Sequence, residues 1–87
     1  MAIRCTILLF GPLAEAAGRR EAQVVLPEGS IVADLWPALS AALPEAAAEF
    51  ERWRGRTAHA RDHRYVASHQ ALVDGDVIAL VPPVSGG

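Results

Sequence analysis

The chain contains no lysine; its eight basic residues are all arginine. It therefore offers no ε-amine as a branch point for chain-building, although its own terminus remains free to be attached elsewhere. Cysteine is almost absent. Cys5 alone excludes an internal disulfide and a cysteine-based metal cluster, and such usage fits a reducing compartment. Excess charge of either sign is lacking: the net value of −2 gives no general pull toward nucleic acid or an anionic membrane. No stretch approaches the roughly 20 apolar residues of a membrane span. The N-terminus starts directly into a strand-like run, without the charged region and long apolar stretch of a signal peptide. From these absences we expect a soluble, cytoplasmic protein with no metal and no nucleic-acid or membrane partner.

What is present suits one domain. Of the 87 residues, 52% are hydrophobic and 21% charged. A chain of this size buries only about 60–65% of its unfolded surface, so nearly every apolar stretch is needed for the core.

Ile3 to Phe10 is β-branched and apolar, and Gly11-Pro12 ends it. Alternation places Ile3, Cys5, Ile7 and Leu9 on one face, which we assign to the core, and Arg4, Thr6, Leu8 and Phe10 on the other. A short helical turn through Leu13–Ala17, closed by Gly18, leads into a second strand at Ala22–Leu26. Ser30 is the expected N-cap of the next element. Val32, Leu35, Trp36, Leu39 and Leu43 form one apolar helical stripe. Pro37 interrupts that stripe, and Pro44 ends the helix or opens a second one over Glu45–Trp53. A strand is predicted near Thr57–Arg61, a turn at Asp62-His63 and a brief strand at Tyr65-Val66. Leu72–Asp76 reads as a tight turn with Gly75 at its tip, and Val77–Val81 as the last strand.

This order predicts an α+β domain over residues 1–81, a mixed sheet of four to five strands packed against one main helix. The β-grasp (ubiquitin-like) arrangement is the natural candidate, with the first and last strands parallel at the sheet centre. Residues 82–87, Pro82-Pro83-Val84-Ser85-Gly86-Gly87, form a C-terminal tail. The two prolines take the chain out of the sheet and hold it extended, with a reach of roughly 20 Å. Two side-chain-free glycines can thread a narrow channel and leave the final carboxylate open to attack. At average glycine usage such a terminal pair arises by chance only about once in 200 chains.

The segment Leu72-Val73-Asp74-Gly75-Asp76-Val77-Ile78-Ala79-Leu80-Val81-Pro82-Pro83-Val84-Ser85-Gly86-Gly87 resembles the C-terminal signature of the small subunit of molybdopterin synthase, in the MoaD/ThiS group of sulfur carriers. The Ile7-Leu8-Leu9-Phe10 strand, the Leu13–Gly18 turn and the Ser30–Leu43 helix fall where that family has them. Ala60-Arg61-Asp62-His63 departs from it, standing where the family shows a plainer apolar strand with an asparagine.

The resemblance implies a β-grasp fold and a cycle run by partners. An E1-like adenylyltransferase would use ATP to adenylate the carboxylate of Gly87, and a sulfur donor would convert the acyl-adenylate to a thiocarboxylate. The tail would then enter the large subunit of molybdopterin synthase, in a heterotetramer, and deliver sulfur to cyclic pyranopterin monophosphate for molybdenum cofactor biosynthesis. Catalytic side chains would belong to the large subunit, and this chain would bind no cofactor of its own. The resemblance also points to Phe10, Tyr65 and Val81 as partner contacts. Strand alternation adds Leu8 and Ala79, with Val77, to the same non-core face. Rival readings are a carrier for thiazole or cysteine synthesis, a ubiquitin-like protein modifier, and a plain interaction domain.

Other features read as structural. Cys5 on the core face is an inert packing residue. His59 and His63 are four apart, but on a segment that is not helical, so they make a poor metal pair. Asp74 and Asp76 flank a turn glycine. Trp36 and Trp53 belong to the core. Arg52, Arg54, Arg56, Arg61 and Arg64 solvate one face.

Overall fold

The computed structural model describes residues 1–83. Strand β1 (Ala2–Leu9) buries Ile3, Cys5, Ile7 and Leu9 and turns the intervening residues outward, as its alternation requires. Helix α1 (Gly11–Ala17) follows, with Pro12 in its first turn and Leu13 fully buried, and ends at Gly18. Strand β2 (Glu21–Pro27) buries Ala22, Val24 and Leu26 and pairs antiparallel with β1.

The second helix over Glu45–Trp53 is present, but the start of the main helix departs from the expected Ser30 cap. Ser30 donates its hydroxyl to the Pro27 carbonyl at 2.7 Å, closing the preceding turn. The next element opens as a 3-10 turn, Val32–Asp34, and Asp34 reaches back to accept the Ile31 N–H at 2.8 Å. The N–H groups of Val32 and Ala33 donate to the carbonyls of Gln70 and Ser68, so a distant loop satisfies donors that a local cap would otherwise take. Helix α2 then covers Leu35–Ala42. Pro37 therefore lies in its first turn, where no intrahelical N–H bond is lost, and the helix needs no kink. A 3-10 turn at Pro44–Ala46 leads into α3 (Ala47–Arg54).

The remaining strands are β3 (Ala58–Arg61), β4 (Arg64–Val66) and β5 (Val77–Val81). The five form one mixed sheet in the order β2-β1-β5-β3-β4. Parallel pairing of β1 with β5 matches Ile7 to Ile78 and Leu9 to Leu80, and β3 lies antiparallel on the other side of β5. This is the β-grasp arrangement, with α2 as the main helix across one face and α3 completing the layer through the fully buried Phe50.

Two polar devices hold the sheet. At the β4–β5 connection Gly75 sits at φ 89°, a left-handed conformation that glycine adopts without strain. Its N–H donates to the Arg4 carbonyl, and Asp74 Oδ1 accepts the Arg4 N–H at 2.8 Å. Asp76 Oδ2 accepts both the Val73 N–H at 2.9 Å and the Arg61 guanidinium at 3.0 Å, locking turn, β5 and β3 together. Within the core, Trp36 Nε1 donates to His59 Nε2 at 3.0 Å, and the Trp36 ring packs edge-on against Phe50. Among the described residues no buried side-chain nitrogen or oxygen lacks a partner.

The His59 bond needs a neutral imidazole with its proton on Nδ1. Burial depresses its pKa below the ordinary 6.5, because the charged form loses hydration. The unfolded chain therefore binds more protons between the folded pKa and about 6.5, so stability is full above that value and declines as pH falls. Urea unfolding between pH 7.5 and 5 will show this decline. The His59→Gln variant, whose amide oxygen can still accept from Trp36, will lack that part of the slope.

Candidate functional site

The face of the sheet turned away from the helices carries the side chains that strand alternation points outward. Register aligns Tyr65 with Ala60, Ala60 with Ala79 and Ala79 with Leu8, giving one row of apolar residues across β4, β3, β5 and β1. Val81 lies opposite Ala58, and one step beyond the Leu9–Leu80 match brings Phe10 level with Val81. The structure thus gathers Leu8, Phe10, Tyr65, Ala79 and Val81 on a single face. Tyr65 is 77% exposed, Phe10 48% and Val77 46%. Large apolar groups left open side by side in this way form an exposed apolar patch.

The surface is dented. Ala60 and Ala79 face each other as a cross-strand pair, and their methyl groups leave a depression of about 330 Å³ walled by Leu8, Phe10 and Val77 and rimmed by Asp62 and His63. A second depression of the same size lies on the far side of Phe10, toward Ala14 and Arg20. Phe10 stands between them as a ridge. Helix α1 does not cover it, because Phe10 occupies the N-cap position with extended backbone while Leu13 turns into the core.

The root of the tail adjoins this face. Pro82 is half-buried and Pro83 exposed. The Pro82 ring lies beside Gly11, 3.6 Å from where a Cβ there would stand. Gly11 has φ 54°, so a side chain at this position would strain the backbone that supports Pro82. Val84, Ser85, Gly86 and Gly87, the remaining tail positions singled out from the sequence, lie outside the described residues.

Side chains with reactive potential elsewhere are engaged. Cys5 is fully buried, and its thiol pKa is pushed up by burial first, then by the charges of Asp76 and Asp74. That setting disfavours the thiolate a nucleophile needs. His59 points into the core and His63 into the exposed turn, so the two do not converge. Of the arginines, Arg52 and Arg54 pair with Glu49 and Glu51, Arg56 stacks on the half-buried Trp53, and Arg61 holds Asp76. Ala60, Asp62, His63 and Gly11 were not distinguished as site residues by sequence reasoning. The alternation of Ala58 and Ala60 before the turn was the available signal, but the cross-strand partner that turns small residues into a dent was not.

A mixed sheet in this strand order, with a helix across one face and an apolar outer face leading to a proline-rooted tail, defines a ubiquitin-like β-grasp protein. The ThiS family profile matches residues 7–87. The chain belongs to the ThiS family, ubiquitin-like sulfur carriers of the MoaD/ThiS type. Among solved structures it is similar to SAMP1 from Haloferax volcanii, with 34% identity, coverage of 97% of this chain and 99% of that one, and a TM-score of 0.80. It is also similar to a Pyrococcus furiosus protein provisionally assigned as molybdopterin converting factor subunit 1, at 27% identity, 94% and 99% coverage and a TM-score of 0.77. A complex of subunits 1 and 2 of the molybdopterin-converting factor from Helicobacter pylori matches at 27% identity, 98% and 100% coverage and a TM-score of 0.58. Among the described residues no helix is long and apolar enough to cross a membrane.

Core and open face will separate under mutation. Leu13→Ala will destabilise the fold by about 2–5 kcal/mol, as expected for an emptied core site. Phe10→Asp will change stability by no more than about 0.5 kcal/mol, since aspartate suits the N-cap position that Phe10 occupies. Urea denaturation of both variants tests the contrast.

Proposed function

We propose that this chain is the sulfur-carrying small subunit of molybdopterin synthase. The observation that carries the reading is a family match that runs through Gly86 and Gly87. The similarity to a two-subunit molybdopterin-converting factor complex supports a large-subunit partner.

The chemistry belongs to the carboxylate of Gly87. A carboxylate is a poor electrophile, and transfer of the AMP group of ATP to it, with loss of pyrophosphate, supplies a leaving group. An E1-like adenylyltransferase performs this step. A sulfur donor then displaces AMP, leaving a thiocarboxylate that is a far better nucleophile than the carboxylate it replaces. The tail carries this sulfur into the large subunit, which holds the catalytic side chains, and cyclic pyranopterin monophosphate accepts it. Gly87 is a consumable group that each cycle regenerates, and the chain itself binds no cofactor. Phe10, Leu8, Ala79, Val81 and Tyr65 form the docking face, and Pro82 against Gly11 sets where the tail leaves it. The assembly is a heterotetramer in the cytoplasm, in keeping with an unpaired cysteine.

A second reading has its own support. The 34% identity to SAMP1, a small archaeal modifier protein, favours attachment of Gly87 to amines of other proteins. Lysine-free itself, such a modifier would not branch through its own side chains.

Co-expression with an E1-like enzyme and a sulfur source distinguishes these readings. A carrier gains intact mass corresponding to one oxygen-to-sulfur exchange, and deletion of Gly87 abolishes sulfur transfer while the circular dichroism spectrum and unfolding midpoint are retained. Unchanged mass together with ladders of heavier target proteins would establish the modifier instead.

A further inference from the structure

We propose that Asp62 and His63 are specificity-determining residues of the docking face, which the large subunit reads where one of its apolar side chains enters the dent between Ala60 and Ala79. The inference rests on the small-subunit reading above. Arg61 pairs with Arg64 across a two-residue hairpin loop, and the two loop residues have φ of 52° and 65°. Positive φ at both positions is the type I′ geometry, for which Asn-Gly or Asp-Gly is the favoured pair. Aspartate and histidine enter this region more readily than most side chains, but glycine enters it without steric penalty. A histidine in the second position is therefore less suited to the turn than the residue the turn prefers.

Among the described residues neither side chain enters a hydrogen bond or an ion pair. Both residues are exposed, and the polar contacts of this hairpin run from Arg61 to Asp76 and to the Ala71 carbonyl instead. Both border the depression walled by Phe10 and Leu8. A carboxylate that accepts hydrogen bonds and an imidazole that can donate one thus stand beside an apolar dent on the face that meets the partner. This combination fits an inserted apolar side chain flanked by polar groups, and a polar rim of this kind confers register and selectivity. A histidine that suits its own turn poorly, yet stands with Asp62 at such a rim, is accounted for by what it contacts in the complex.

The test is the double variant Asp62→Asn, His63→Gly, which installs the preferred type I′ pair. The thermal unfolding midpoint is expected to rise. Affinity for the cognate large subunit, measured by titration calorimetry, is expected to fall by up to about tenfold. A merely structural role would not move these two readouts in opposite directions. A variant that binds as tightly as the wild-type chain overturns the inference while leaving the small-subunit reading intact. A lowered unfolding midpoint also overturns it, since the turn would then favour the native pair. A wild-type chain that fails to bind the large subunit overturns the small-subunit reading, and the inference with it.

Discussion

The parallel ladder between the first and last strands is the constraint on which the rest of the structure depends. It joins residues some 70 positions apart, beginning where the Arg4 carbonyl accepts the Gly75 N–H and the Asp76 carbonyl accepts the Thr6 N–H. One side of the ladder brings Ile78 and Leu80 against Ile7 and Leu9, all of them buried. The other side brings Ala79 beside Leu8 and Val81 level with Phe10. Core and open apolar face are thus two sides of one set of backbone bonds. Because side chains alternate along a strand, a slip of one residue would exchange the two faces entirely.

That register is over-determined by polar contacts at the turn where β5 begins. Asp76 holds the turn through Val73 and holds β3 through Arg61, while Asp74 and Gly75 grip the backbone of β1. Mutual support of this kind lets the chain leave a large apolar area uncovered. A domain this small has little core to spare, and residues such as Phe10 and Tyr65 contribute nothing to it. Their exposure makes physical sense under the docking role proposed for this face, with the tail rooted at its border by Pro82 and Gly11. The sulfur chemistry proposed for Gly87 needs such a division of labour. On that proposal the fold roots the tail at Pro82, and partners would supply activation and catalysis.

Most of the fold was legible along the chain because its signals are local. Alternation in Ile3–Leu9 and Val77–Val81, the glycine at position 75 and the prolines at 44 and 82 each act within a few residues. The helix entrance was misread for the opposite reason. Ser30 has the chemistry of a cap, but its hydroxyl goes to Pro27, and the donors of Val32 and Ala33 go to the carbonyls of Gln70 and Ser68. Pro37 looked disruptive until the 3-10 turn moved the start of α2 to Leu35 and placed the proline in the first turn. The His59 partner was hidden in the same way: its bond to Trp36 spans 23 residues and exists only because the fold brings those two side chains together in the core.

By itself the sequence determined the inventory of strands and helices, the residues that face inward, and a diglycine end preceded by prolines, since each follows from short-range chirality, periodicity and steric limits. Tertiary structure alone decided which outward residues meet. Ala60 opposes Ala79 across two strands, and from that pairing come the dent, its Asp62 and His63 rim and its closeness to the root of the tail. Cross-strand register depends on long-range packing and loop closure, which no local pattern of residues encodes.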